Sequence, residues 1–124
     1  NQIKKGISGV KQAVSDLKKG NSLALMIDQR LSEGENINFF NSNSMTTTLP
    51  AQIALKYRVK IIPIHLVRKD DFSYEMEVGQ PLDFKTYDNN NDNKIKISQK
   101  LNLWLEGKIK EQPDQWILTH NRWK

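Results

Sequence analysis

The sequence predicts an α/β fold, a mixed and mostly parallel sheet flanked by helices. Two observations lead there. Stripes of helical period alternate with short β-branched runs, and the order reads helix, strand, helix, strand, strand, helix. A helix between the first two strands implies at least one parallel crossover, whereas the last two strands are joined by a tight polar turn. The 124 residues suit one domain, and no repeat or internal boundary is visible, so residues 1–124 read as a single α/β unit.

Ile3, Ile7, Val10, Val14 and Leu17 recur at spacings of 4, 3, 4 and 3, one stripe of an amphipathic helix. Lys18 and Lys19 suit its negative end, and Gly20 is a natural stop. Residues 22–27 then read as a short buried strand. Residues 30–38 are polar and carry Gly34, so they read as a loop; Phe39-Phe40 is an apolar anchor, and residues 41–44 form another polar loop. A helix with Pro50 in its first turn follows, continued by Ala51, Ala54 and Leu55 as far as Arg58. Residues 60–67 read as a second buried strand, with Pro63 hinting at an edge or bulge. Lys69-Asp70-Asp71 makes a turn and residues 73–78 return as a hairpin strand. Residues 88–93 (DNNNDN) read as a mobile loop. Ile97, Leu101, Trp104, Leu105 and Ile109 mark a long amphipathic helix that Pro113 ends or restarts.

Composition narrows the chemistry. Lys plus Arg number 19 and Asp plus Glu 14, a net charge of +5, with a pI near 9.5 and a mean hydropathy of −0.67. That excess favours phosphorylated lipids, acidic carrier proteins or nucleic acid, or else only a well-solvated basic surface. The longest apolar run, Leu23-Ala24-Leu25-Met26-Ile27, is far short of the roughly 20 residues of a spanning helix. With no Cys, disulfides and thiolate metal sites are excluded. His65 and His120, the two His, cannot build a multi-His metal centre alone. The chain starts at Asn1 with neither Met nor a signal-peptide pattern, which suggests an excised fragment.

Four places can carry function, each with an ordinary alternative. Asp28-Gln29 directly follows the first expected strand, where ligands of open α/β sheets gather; alternatively it is a strand-ending turn. Thr46-Thr47-Thr48 leads into the Pro50 helix, where hydroxyls and free N–H groups hold an anion or simply cap the helix. His65 and Asp70 match His-x4-Asp, but positions five apart on a strand face opposite ways, so coincidence is the stronger reading. In the closing segment Trp116, His120 and Trp123 fall near one helical face and Arg122 is a candidate phosphate clamp; the alternative is a docked terminal helix.

Taken together these segments resemble the bacterial lipid A biosynthesis acyltransferases of lauroyl/myristoyl type, over nearly the whole chain. The carriers are Asp28-Gln29, Phe39-Phe40, the Thr-rich lead into an Ala-rich helix, Ile61-Ile62-Pro63 and Arg68. Trp104 and Glu106 follow, then Pro113-x-Gln115-Trp116 and His120-x-Arg122-Trp123-Lys124. The resemblance implies a glycerolipid-acyltransferase-like fold, incomplete here, and transfer of a fatty acyl group from an acyl carrier protein thioester to a hydroxyl of a lipid A precursor. It implies action at the cytoplasmic side of the inner membrane, against its anionic surface, without metal, nucleotide or nucleic acid. Substrate contacts would fall on Asp28, Gln29, Thr47, Thr48, Arg68, His120 and Arg122. The family's His-x4-Asp/Glu dyad lies upstream of the Asp28-Gln29 counterpart, so the chain reads as the C-terminal part of a larger acyltransferase domain, inactive by itself. Two departures stand out: Phe39-Phe40-Asn41 where Phe-Phe-Gly is usual, and His120-Asn121-Arg122-Trp123 where His-Arg-Arg-Trp is usual. The reading from another class is a non-catalytic basic module that binds nucleic acid or anionic lipid.

Overall fold

A computed structural model describes residues 3, 7–29, 31, 34–117 and 121–123. Its elements, in chain order, are helix α1 (Ile7–Lys18), strands β1 (Glu35–Phe39) and β2 (Ser42–Thr46), and helix α2 (Leu49–Tyr57). Strands β3 (Ile64–Arg68) and β4 (Tyr74–Val78) follow, then helix α3 (Asn91–Glu111) and a 3-10 turn at Pro113–Gln115.

The mostly parallel sheet is not there. Among the described residues the strands form two separate antiparallel pairs, β1 with β2 and β3 with β4. The correction has a local cause. Residues 22–27, expected as the first buried strand, run without strand pairing, with Leu25 40% and Met26 75% exposed. A strand is stable only when a neighbour takes its backbone hydrogen bonds, and β3 gives its ladder to β4. The second expected strand is therefore real but not buried: Ile64 and Leu66 are each more than half exposed.

Strands β1 and β2 occupy stretches expected as loops. Ile37, Phe39, Ser44 and Thr46 are buried along an alternating pattern, but half of that inward face is hydroxyl-bearing, which hides it from a hydrophobic-period reading. The two-residue turn between them places Phe40 (φ 51°) and Asn41 (φ 60°) in the left-handed region, as tight hairpins require. Asn41 therefore holds the left-handed turn where the resemblance leads one to expect Gly, since Asn tolerates that geometry.

Helix α1 ends as its sequence indicates, at Gly20 with φ 85°. Helix α2 carries Pro50 in its first turn and stops at Arg58, itself left-handed (φ 56°). The Arg58 guanidinium donates to the Lys85 and Tyr87 carbonyls at 2.9 and 2.6 Å, which offsets the cost of that backbone. Helix α3 starts earlier than expected, inside the supposed mobile loop of residues 88–93. Asn90 caps it, its side-chain oxygen accepting from the Asn93 N–H at 2.9 Å.

Helix α3 organises the core with two adjacent stripes. Ile97 and Leu101 pack with Ala51, Ala54 and Leu55 of α2 and with Phe84. Leu105 and Ile109 pack on Phe39, joined by Phe40, Trp104 and Trp116. Beside this apolar stripe Ser98, Asn102 and Glu106 are also buried; Ser98 donates back to the Lys94 carbonyl of its own helix, while Asn102 and Glu106 bond the β1–β2 hairpin.

Candidate functional site

Under α3 the hairpin β1–β2 meets the closing segment of the chain. Asn102 donates its amide to the Asn38 carbonyl at 2.9 Å and to Thr46 Oγ1 at 3.2 Å. Glu106 accepts from the Phe40 N–H at 2.9 Å, holding the left-handed turn. These three long-range bonds explain why a helix would bury polar groups on one stripe: they pair Asn102 and Glu106 with polar groups of the hairpin.

Arg122 lies inside this layer, 1% exposed. Its Nη1 donates to the Gln29 carbonyl at 2.5 Å, and its Nη2 lies 3.4 Å from Asn102 Oδ1. The guanidinium sits over the Phe39 ring, 4.6 Å from its centroid. The Arg122 carbonyl accepts from Ser44 Oγ at 3.0 Å. Burial pulls the Arg122 pKa down and the neighbouring Asp28 charge pushes it back up; an arginine stays protonated through such a shift. Among the described residues, two buried atoms of this region have no hydrogen-bond partner, Arg122 Nε and Asp28 Oδ1.

Aromatic rings seal the site. Trp123 stacks on Phe39 with centroids 5.8 Å apart and donates its indole N–H to the Phe39 carbonyl at 3.0 Å. Trp116 meets Phe39 and Trp123 edge-on at 5.8 and 6.0 Å. Of the segment expected as a terminal helix, the described residues 116–117 and 121–123 are not helical, and Phe39 of β1 gathers the rings instead.

Of the residues singled out from the sequence, Asp28, Gln29 and Arg122 come together. Gln29 is exposed and Asp28 half-buried, in a bend after the unpaired tract. Thr47 and Thr48 sit at the start of α2 and are engaged locally: Thr47 Oγ1 accepts from the Leu49 N–H at 3.3 Å, and Thr48 Oγ1 from Gln52 Nε2 at 2.8 Å. Arg68 belongs to the other hairpin, where its backbone N–H and C=O are bracketed by the Gln115 side chain at 2.8 and 3.0 Å. A polar hollow of about 310 Å³ lies beside it, lined by Arg68, Lys69, Asp70, Phe72, Asp114 and Gln115. His120 lies outside the described residues. His65 is opposite Glu77 in mid-strand and Asp70 is in the hairpin turn, and among the described residues no hydrogen bond joins them.

Asn102 and Ser44 were not anticipated as parts of a site, Thr46 was expected only at the helix start with Thr47 and Thr48, and Glu106 stood only among the carriers of the resemblance. The available signal was the 98, 102, 106 spacing, which repeats every fourth residue alongside the apolar stripe. Among the described residues no cluster of three or more His, Asp or Glu side chains gathers as a metal site, and no helix is long and apolar enough to cross a membrane.

The protein class follows from the order of these segments together with comparison. A family model described as bacterial lipid A biosynthesis acyltransferase matches residues 2–124. The chain belongs to that family, and its function is of the lipid A acyltransferase type. Comparison with curated proteins gave no match.

Proposed function

We propose that the chain is the C-terminal part of a larger acyltransferase domain that moves a fatty acyl group from an acyl carrier protein thioester to a hydroxyl of a lipid A precursor. The observation that carries this reading is the family match over residues 2–124. Further support comes from apolar surface left in water: the unpaired tract at residues 22–27 and the open face of the β3–β4 hairpin, both of which a larger domain would cover.

In this reading the general base, a His-x4-Asp/Glu dyad, sits on another part of the parent protein. It takes the proton of the acceptor hydroxyl, the oxygen attacks the thioester carbonyl, an ester forms, and the C–S bond breaks with the proton passing to the leaving thiolate. In this reading the chain supplies substrate contacts, from Asp28 and Gln29 to the acceptor and from Thr47, Thr48, Arg68 and His120. The parent works at the cytoplasmic side of the inner membrane, where the excess of Lys and Arg suits an anionic surface.

Acyl transfer from loaded acyl carrier protein to a lipid A precursor tests this, measured for the 124-residue chain and for the complete polypeptide that contains it. Transfer by the complete polypeptide and none by the chain alone is the expected result. Transfer by the chain alone overturns its incompleteness, and none by the complete polypeptide overturns the substrate assignment.

A further inference from the structure

We propose that Arg122 is a positioning residue: the closing segment of the chain latches the Asp28-Gln29 turn onto the β1–β2 hairpin from inside, and Arg122 does not clamp a substrate phosphate. The inference rests on the reading of Asp28 and Gln29 as substrate-facing.

Among the described residues, every contact of Arg122 points inward. Its Nη1 bonds the Gln29 carbonyl across 93 residues of sequence. Its Nη2 faces Asn102, and its plane covers Phe39. Its own backbone is pinned by Ser44, and the next residue is pinned through the indole of Trp123 on the Phe39 carbonyl. At 1% exposure the guanidinium would have to abandon all of these to reach a phosphate in solvent. Among the described residues, the bend at Asp28-Gln29 has little other support. The preceding tract has no ladder, and the bend's own amides make no hydrogen bond among the described residues. The Gln29 carbonyl is thus the tether, and Asp28 lends the buried cation its counter-charge. Lysine cannot replace this arrangement. A single ammonium cannot lie flat on Phe39 while donating in two directions from a planar fork.

The test is NMR on the 124-residue chain, with Arg122→Ala, Arg122→Lys and Trp123→Phe. In the unsubstituted chain the Arg122 guanidinium protons should be resolved and slow to exchange, and inorganic phosphate should leave the Arg122 Nε resonance unmoved. Backbone order parameters at Asp28 and Gln29 should fall below about 0.6 in both Arg122 variants, while α3 stays near the roughly 0.85 of rigid backbone. Millimolar guanidinium should restore order in Arg122→Ala by refilling the vacated slot. Trp123→Phe, which retains the guanidinium, should leave the bend ordered. The proposal is overturned if phosphate shifts the Arg122 resonance saturably, if the bend stays ordered without Arg122, or if α3 loosens equally. Should either Arg122 variant fail to fold, the phosphate titration and the proton exchange of the unsubstituted side chain still decide. None of these readouts uses acyl transfer, so the latch and the enzyme assignment can fail separately.

Discussion

Gly34 lies where the chain enters β1 alongside the end of β2. A Cβ there would lie 2.7 Å from the Thr46 carbonyl oxygen and 3.1 Å from the Thr46 N and C. Those are backbone atoms of a buried strand, so they cannot swing aside as the tip of a side chain would. Gly34→Ala is therefore expected to destabilise the chain by about 1–3 kcal/mol, the usual cost of overpacking. Urea unfolding should show a lower midpoint with an unchanged slope. Residues with this kind of role are poorly legible from sequence. Gly34 looks like a loop glycine until the neighbouring strand is known. Arg122 was visible as a candidate because basic side chains attract functional readings. That its guanidinium points inward was not visible, because burial of a C-terminal arginine depends on Phe39, Asn102 and Gln29, all distant in sequence.

Helix α3 was legible because four apolar residues at spacing four mark one face wherever the helix lies. Its start was not, because a run of Asn and Asp looks like a loop when one of those residues is in fact the cap. Removing the cap in Asn90→Ala should cost about 1 kcal/mol, seen as a lower thermal midpoint with the rest of α3 intact. The hairpin β3–β4 was also legible, through its alternation and turn residues, and it carries the ion pairs Lys69–Glu75 and Glu77–Lys108. Its Glu75 carboxyl is held below the ordinary value by the hydrogen bond from Lys69, and Asp71 by the hydroxyl and amide of Ser73. A carboxyl depressed in the folded state stabilises it fully above the ordinary carboxylate pKa, and the contribution vanishes as pH falls through the depressed value. Lys69 and Lys108 are raised, Lys69 by Glu75 and Lys108 by Glu77 and then Glu111, so their contributions fade only as pH rises through the raised lysine values. Acid should therefore fray this hairpin before α3. Cross-strand NMR contacts between Arg68 and Tyr74 should weaken below about pH 4, where ordinary carboxyls protonate, while helical signals of residues 97–109 persist.

Across the whole molecule, local periodicity could assign most helices but not decide which strands pair. Ladder partners depend on which chain segments are present to share hydrogen bonds, and β3 finds only β4 among the described residues. The consequence is a one-sided hairpin. Register places Ile64 opposite Val78, Leu66 opposite Met76 and Arg68 opposite Tyr74, so these side chains share a face. Each of the five apolar members is more than half exposed, and Phe72 at the tip is 86% exposed. On the other face Glu77 reaches Lys108 of α3 at 2.8 Å, an ion pair that ties this side to the helix. An apolar face already in water contributes little to folding but much to association. Leu66→Lys combined with Met76→Lys should then shift the chain's unfolding free energy by no more than about 0.5 kcal/mol, as surface substitutions do. The same pair should sharply reduce binding of a hydrophobic dye and concentration-dependent self-association, measured by fluorescence and sedimentation velocity. Loss of several kcal/mol instead, comparable to truncating a core leucine, would mean that the face is covered within the chain itself, and would remove the support that this surface lends to a larger enclosing domain.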